Sequence, residues 1–219
     1  MLPFGGVPFL RYLVFWLLRN GISEVIVTGS NACNGWLIEE EIHNNFPSSV
    51  RFVEEDYPKS TAFSSFTGVS EVRHNHTLLL TGDNIWSVDL RKICKEHIER
   101  KAACLVLTTT KKNVPNYGLV KVDRKTRSIL SLYDKNNTCS GVPSSTMGFY
   151  VLDTKRFLDN IDTSHDVYVE RESMERLIPD VWSIMNNKFF FDFGTLEDLD
   201  FLSKNSNLII KYFGIPTSG

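Results

Sequence analysis

Two aspartates stand at the ends of apolar segments that lie far apart in the sequence. Asp83 follows the run "TLLLTG", and Asp192 lies in "KFFFDFGT", just ahead of a glycine and a predicted helix start. In an open α/β sheet, ligands bind beyond the carboxyl ends of the strands, and carboxylate oxygens are ligands that Mg²⁺ prefers. The two aspartates are therefore candidates for one magnesium site. The alternative is that each carboxylate only caps a turn or a helix, and the spacing by itself leaves both interpretations open.

The elements that would position these aspartates alternate in type through the first half of the chain. Apolar periodicity and turn residues predict, in order, helix 8–20, strand 24–30, helix 35–46, strand 50–56, a loop and short helix over 57–72, a strand ending before Asp83, helix 88–101 and strand 103–110. This alternation predicts a Rossmann-like, doubly wound α/β fold with a mostly parallel sheet and helices on both faces.

In the second half of the chain, the predicted strands and helices no longer alternate regularly. The pattern predicts two short strands within 117–135, a strand over 147–153, a helix over 167–181, a strand over 188–194 and a helix over 195–205. Thr195 followed by Asp198 is a weak form of the capping box at the start of the last helix. No repeat or linker divides the chain, so a single domain over 1–219 is expected.

Composition favours a small-molecule partner. The chain has 219 residues, 42% of them hydrophobic, and its 24 basic and 26 acidic residues form no block of one sign. A field that attracts nucleic acid or an anionic membrane is therefore not expected. The apolar run "FLRYLVFWLL" is about half the roughly 20 residues of a membrane span. The four cysteines stand far apart without a C-x-x-C pair, which indicates neither a zinc site nor a disulfide framework and fits a reducing cytoplasm.

Six segments, in order along nearly the whole chain, resemble the sugar-phosphate nucleotidyltransferases. Members of this family join a nucleoside triphosphate to a sugar 1-phosphate and release pyrophosphate. The similar segments are "LPFGGVPFLRYLVFWLLRNGISEVIV" (2–27), "TGDNIWSVDL" (81–90), "NYGLVKVD" (116–123), "LYDKN" (132–136), "MGFYVLD" (147–153) and "FFDFGTLEDL" (190–199). Within the family, the chain is most similar to guanylyltransferases that act on mannose 1-phosphate or a heptose 1-phosphate.

The resemblance implies roles for individual residues. Asp83 and Asp192 would hold the catalytic Mg²⁺, and Lys135 would contact the phosphate of the sugar substrate. The implied nucleotide-binding residues are Thr61, Ala62 and Gly82, and the implied sugar-binding residues are Tyr117, Gly118, Gly148 and Glu170.

Three of these roles have ordinary alternatives. Lys135 can be a solvated lysine in a polar turn, and Gly148 can be a glycine that packs inside a strand. Glu170 lies near a predicted helix start, where a glutamate is common.

The implied reaction needs no general base. The second pKa of a phosphate monoester is about 6, so the attacking sugar phosphate is already largely ionised at neutral pH. Catalysis then consists of aligning two polyanions and neutralising the charge that shifts to the leaving pyrophosphate. Mg²⁺ would serve as Lewis acid and template, and Lys135 as a point charge. Asp89 is better explained as a residue at the N-terminus of the next helix.

The chain departs from the family pattern in two places. The family's glycine-rich loop, with its arginine and a following Pro-Lys pair, has no counterpart, so an N-terminally incomplete domain that lacks its first strand and roughly two dozen residues is expected. Gly5 and Gly6 follow no strand and indicate a tight turn. In "PKSTAFSS" (58–65), Ser60 and Phe63 replace two glycines of the family's nucleotide-contacting loop, which would reshape or block the pocket.

Three functions compete at this stage. The first is a nucleotidyltransferase that uses a nucleoside triphosphate, with GTP favoured, and a sugar 1-phosphate. The second is an inactive relative that binds sugar phosphates or regulates an intact homologue; homo-oligomers also stay open. The third, a glycosyltransferase of a related fold, is the weakest, because such enzymes commonly carry an Asp-x-Asp motif and here Asp83 is followed by Asn84 and Ile85.

Overall fold

A computed structural model describes residues 3–4, 6–55, 60–110, 118–133, 144–163, 173–193, 195, 198–201, 204–205 and 207. The strands are β1 (Pro3–Phe4), β2 (Val7–Pro8), β3 (Val25–Gly29), β4 (Val50–Glu54), β5 (His76–Leu80), β6 (Asn84–Trp86), β7 (Cys104–Thr109), β8 (Leu119–Val122), β9 (Ile129–Tyr133), β10 (Ser144–Asp153), β11 (Val181–Met185) and β12 (Phe190–Asp192). The α-helices are α1 (Phe9–Arg19), α2 (Gly35–Asn45), α3 (Thr61–Ser70), α4 (Leu90–Arg100) and α5 (Thr154–Asn160).

The chain forms two compact units. The first comprises residues 1–54, 82–86 and 189–219, and the second comprises residues 55–81 and 87–188. The single domain over 1–219 stays a prediction. Among the described residues, no helix combines the length and apolarity that crossing a membrane requires.

The first unit is built around the apolar helix α1. Six of its eleven residues are buried, as a helix that is apolar nearly all round requires. Phe9, at its start, packs against Phe193 with ring centroids 4.4 Å apart. Before α1, Phe4 pairs with Val7 across the Gly5-Gly6 link, and Gly6 has a φ of 85°. This pairing agrees with the predicted tight turn, but the expectation that the glycine pair follows no strand is wrong, because β1 ends at Phe4.

Two strand pairs belong to this unit. β3 and β4 are parallel, with Val25 opposite Val50, and α2 connects them. β6 and β12 are antiparallel, with Asp192 opposite Asn84. Thr195 and Asp198 bond each other reciprocally: Thr195 Oγ1 accepts from the Asp198 N–H at 3.1 Å, and Asp198 Oδ2 accepts from the Thr195 N–H at 2.9 Å. This confirms the predicted capping box.

The second unit contains a six-stranded sheet in the order β11-β7-β10-β8-β9, with β5 also paired to β10. β10 is central, and its residues from Ser144 to Leu152 are all buried. The core on one face includes Cys104, Val106, Tyr150, Phe157 and Val181. α3 and α5 contact each other, and Ala62 and Val69 of α3 enter the same core.

The predicted α/β class is confirmed, with helices on both sides of the sheets, but the sheets are mixed and not mostly parallel. Only the β3–β4 and β7–β11 pairs are parallel among the strand pairs of the described residues. The antiparallel pairs have a local cause at β8 and β9. Asp123 Oδ1 accepts from the Lys125 and Thr126 N–H groups and closes a short turn, and such a turn can join only antiparallel strands.

The helix predicted over 167–181 holds only in part among its described residues: residues 173–174 are π-helical, and the helical conformation ends at Leu177. Residues 175–177 form one turn of 3-10 helix, and β11 begins at Val181. Pro179 explains the stop, because it disfavours helical geometry at the preceding residue and lacks an N–H donor. β6, α5 and β11 were not expected from the sequence pattern.

Candidate active site

Asp83 and Asp192 come together on neighbouring strands of the first unit. The Phe193 N–H donates to the Asp83 carbonyl oxygen at 3.0 Å, and Asp192 is opposite Asn84 in the β6–β12 ladder. The two aspartates are therefore one ladder step apart, although 108 positions separate them in sequence (192 minus 83, less one). The strand register brings the two backbones together, but side chains alternate along a strand, so it directs Asp83 and Asp192 to opposite faces of the ladder. The shared magnesium site stays a prediction.

Asn84 orients the carboxylate of Asp83. Residues directly opposite each other in an antiparallel pair place their side chains on the same face, so Asn84 and Asp192 share a face. The Asn84 amide nitrogen donates to Asp83 Oδ1 at 3.1 Å, so the Asp83 carboxylate is within hydrogen-bond reach of the residue opposite Asp192. Asn84 is only 2% exposed, so its amide is held by the surrounding structure.

The resulting group offers hard oxygen ligands. Asp83 is exposed, and Asp192 is half-buried. Mg²⁺ is commonly held by one or two carboxylates, with waters and substrate phosphates completing the octahedron. Within the described residues, no three or more His, Cys, Asp or Glu side chains are grouped to hold a metal. The donor set thus fits a magnesium ion shared with a phosphate ligand better than an all-protein cage.

Gly82 has no packing reason to be glycine. A Cβ added at this residue would have no heavy atom within 4 Å. Its backbone is exposed beside Asp83. The nucleotide-binding role of Gly82 stays a prediction, and the open space makes that role testable without damage to the fold.

Gly148 has a conformational reason to be glycine. Its φ is 60°, a left-handed conformation that costs side chains free energy, and the β10–β7 register shifts between Thr146 and Tyr150. The Gly148 carbonyl accepts the Thr81 N–H at 3.0 Å, at the residue before Gly82. Gly148 therefore forms a bulge that fixes the end of the strand leading to Asp83.

Gly118 lies at the same end of β10. Its carbonyl accepts the Thr146 N–H at 2.9 Å, so Gly118 and Gly148 are both tied to one stretch of backbone. The sugar-binding role proposed for each stays a prediction. Tyr117, Lys135 and Glu170 lie outside the described residues.

The start of α3 explains one of the two departures from the family's glycines. Ser60 is the N-cap residue, and its Oγ accepts from the Phe63 N–H at 3.2 Å. Thr61 is exposed, whereas Ala62 is fully buried in the core, so Ala62 presents no accessible surface to a nucleotide in this structure. Both nucleotide-binding roles stay predictions.

Two residues near these segments were missed at the level of sequence. In the sequence, Asn84 stands out only as a departure from the Asp-x-Asp motif. The feature that could have indicated its role is a polar residue at the start of the apolar triplet Asn84–Trp86. Glu55 is 5% exposed, and its Oε2 accepts from the Ser64 hydroxyl of α3 at 2.8 Å. Asp89 accepts from the Lys92 N–H at 3.1 Å as the N-cap of α4, which confirms its structural interpretation.

Comparison with known proteins decides the family. The nucleotidyl transferase family matches residues 1–200. The chain belongs to this family. It is 24% identical over 201 residues to D-glycero-alpha-D-manno-heptose 1-phosphate guanylyltransferase of Aneurinibacillus thermoaerophilus, covering 90% of this chain and 84% of that protein. It is 23% identical over 202 residues to mannose-1-phosphate guanylyltransferase of Mycobacterium tuberculosis, covering 90% of this chain and 55% of that protein.

Other relatives of this nucleotidyl transferase carry a different base in their names. Several are glucose-1-phosphate adenylyltransferases, at 22–28% identity. Among solved structures, HddC from Yersinia pseudotuberculosis aligns with a TM-score of 0.75 at 21% identity, over 94% of this chain and 88% of that chain. At this identity the structural likeness shows the fold alone.

Proposed function

We propose that this nucleotidyl transferase joins a nucleoside triphosphate, with GTP favoured, to a sugar 1-phosphate and releases pyrophosphate. The observation that carries the proposal is the ladder that sets the Asp83 backbone one step from Asp192, with the Asn84 amide bonded to the Asp83 carboxylate. Family membership and the names of the relatives, which are sugar 1-phosphate guanylyltransferases and adenylyltransferases, support the same reaction class.

Asp83 and Asp192 would hold the Mg²⁺ in this proposal. When bound, the ion supplies Lewis-acid polarisation of a phosphoryl oxygen and a template for the two phosphate groups. The chain's own part is positional. The β6–β12 ladder and the Asn84 amide fix the carboxylates before substrate arrives, so the reorganisation needed in the transition state is small.

The remaining proposed roles concern the two substrates. The exposed backbone at Gly82 and the N-terminal turn of α3, with Thr61 and Ala62, would meet the nucleotide. Gly118, Gly148, Tyr117 and Glu170 would meet the sugar, and Lys135 would neutralise its phosphate as a point charge. The phosphate monoester is largely ionised at neutral pH, because its second pKa is about 6, so no side chain is assigned as a general base.

One buried carboxylate, Glu55, is the group proposed to select guanine over adenine. Glu55 accepts a hydrogen bond from Ser64 of α3, and an ionised carboxylate has about four acceptor positions and no donor. Guanine presents two adjacent donors, N1–H and the 2-amino group, that match a carboxylate; adenine has no such pair.

Glu55→Gln places a donor on this side chain and should reduce the ratio of GTP to ATP use. Ser64→Ala is the matched control, because it removes the hydroxyl partner and keeps the carboxylate. An unchanged GTP/ATP ratio in Glu55→Gln would remove Glu55 from base selection.

The contact between Ser60 and Phe63 supports a second function, that of a binding or regulatory subunit that does not turn over nucleotide. The Ser60 hydroxyl occupies the Phe63 N–H, so that amide of the helix start is already satisfied by the protein. A chain that binds sugar phosphate without turning over nucleotide would then act as a binding or regulatory subunit, paired with an intact homologue.

A substrate panel separates the two functions. The purified chain is incubated with Mg²⁺, GTP or ATP, and mannose 1-phosphate, a heptose 1-phosphate or glucose 1-phosphate, and the nucleotide sugar is measured by chromatography. Calorimetry with each substrate alone runs in parallel. Formation of a nucleotide sugar from any pair supports the enzyme. Binding of sugar phosphate without nucleotide binding or product supports the subunit, and binding of neither class contradicts both.

A further inference from the structure

Two histidines from different elements face each other in the second unit. His76 begins β5, and His97 lies in the last turn of α4. His76 Nδ1 is 3.2 Å from His97 Nε2, and the rings meet edge to face at 86°. His97 is 1% exposed, whereas His76 is exposed to solvent. The Nε2 nitrogen of the buried His97 ring therefore faces the solvent-exposed ring of His76.

The separation of these nitrogens suits a shared metal ion. Imidazole nitrogens bind Zn²⁺ at about 2.0–2.1 Å. With both bonds at that length, nitrogens 3.2 Å apart subtend an angle of roughly 103° at the ion, between the octahedral and tetrahedral values. We propose that His76 and His97 form a two-histidine binding site for a borderline transition-metal ion such as Zn²⁺.

Protons compete only weakly with a metal ion for the His97 ring. Burial, followed by the charge of His76, lowers the pKa of His97 to about 4, against a smaller opposing effect of Asp153. His97 is therefore neutral near pH 7 and keeps a lone pair for a ligand bond. Asp153 is opposite His76 in the β10–β5 ladder, and the negative potential that acts on His97 also favours a bound cation.

Water would complete the coordination shell in this proposal. In the described part of the chain, no third His, Cys, Asp or Glu completes a metal cluster with the pair. In the metal-bound form the ring protons lie on His97 Nδ1 and His76 Nε2, so both facing nitrogens are lone-pair donors. Bound Zn²⁺ ties the end of α4 to the start of β5, and because it binds only the folded chain it raises the unfolding temperature.

The competing explanation is a hydrogen bond between two neutral imidazoles. Titration calorimetry of the full, tag-free chain with Zn²⁺ alone distinguishes the two, with His76→Gln as the test variant. Glutamine can still bond His97 Nε2 but is a poor zinc ligand, so the affinity should fall by about tenfold or more. His74→Gln, two residues upstream and also exposed, is the matched control and should bind Zn²⁺ as the wild type does.

A spectroscopic readout covers a variant that folds poorly. Imidazole ¹⁵N resonances of the wild type should shift at both His76 and His97 when Zn²⁺ is added, and Mg²⁺ at equal concentration should move neither. Absence of wild-type binding, unchanged affinity in His76→Gln, or shifts confined to other histidines would each overturn the proposal.

Discussion

The buried ring of His97 makes the stability of the protein depend on pH. Its pKa falls from 6.5 to about 4, chiefly because burial disfavours the charged ring and secondly because His76 is close. In the unfolded chain the ring returns to about 6.5. Between these two values the unfolded state binds more protons than the folded state, so the unfolding free energy decreases as the pH is lowered.

The magnitude follows from the two pKa values. Each tenfold change in the ratio of protonated to neutral ring is worth 1.36 kcal/mol. Over the full interval, from 6.5 to about 4, the loss approaches roughly 3 kcal/mol. Between about pH 7 and pH 5, where most carboxylates are still ionised, the same linkage gives about 2 kcal/mol.

The perturbation that isolates this effect is His97→Gln, which keeps a polar group of similar reach and removes the titration. Urea unfolding of wild type and variant, followed by circular dichroism in the presence of a chelator, gives both free energies at several pH values. The wild-type advantage over the variant should shrink by about 2 kcal/mol from about pH 7 to pH 5. A difference that is constant with pH would refute the assignment of a buried, neutral His97.

Two further predictions follow from local geometry. Gly148→Ala should lower the unfolding free energy by about 1 kcal/mol or more, because φ is 60° there and alanine is disfavoured in that conformation. The control is Gly82→Ala, where an added Cβ has no heavy atom within 4 Å. Equal losses of unfolding free energy in the two variants, measured by urea unfolding, would contradict the argument. In native protein, Cys33 should react with a disulfide reagent well before Cys104, because Cys33 is exposed whereas burial raises the pKa of the Cys104 thiol. Peptide mapping measures the order of labelling. Early labelling of Cys104 would contradict the prediction and show that its strand opens readily.

The sequence predicted the local elements better than their pairing. α1, α2 and α4 are recognisable because their apolar spacing, Pro8 and Asp89 act within one or two turns of chain. The mixed sheet is not recognisable in this way, because strand direction depends on partners far along the chain. The helix predicted over 167–181 extends too far because "ERLIPDV" (175–181) has helical spacing, and the effect of Pro179 outweighs that pattern.

In the candidate site too, the sequence predicts local features better than contacts that depend on strand pairing. Asp83 and Asp192 are identifiable from their position after apolar segments and from the resemblance. Asn84, which bonds the Asp83 carboxylate and is opposite Asp192, is identifiable only when the β6–β12 register is known. Gly148 was weighed as a sugar contact or a packing residue, and the structure adds a third reason, the left-handed bulge that holds Thr81.

The central claim is that Asp83 and Asp192 act together on a magnesium nucleotide. Its most direct test is the rate of Mg²⁺-dependent nucleotide-sugar formation in Asp83→Asn and Asp192→Asn, with the helix-capping Asp89→Asn as the matched control. Each site variant should lose at least about a hundredfold in rate while keeping its circular dichroism spectrum, and the control should keep its rate. Undiminished turnover in either site variant would contradict the claim.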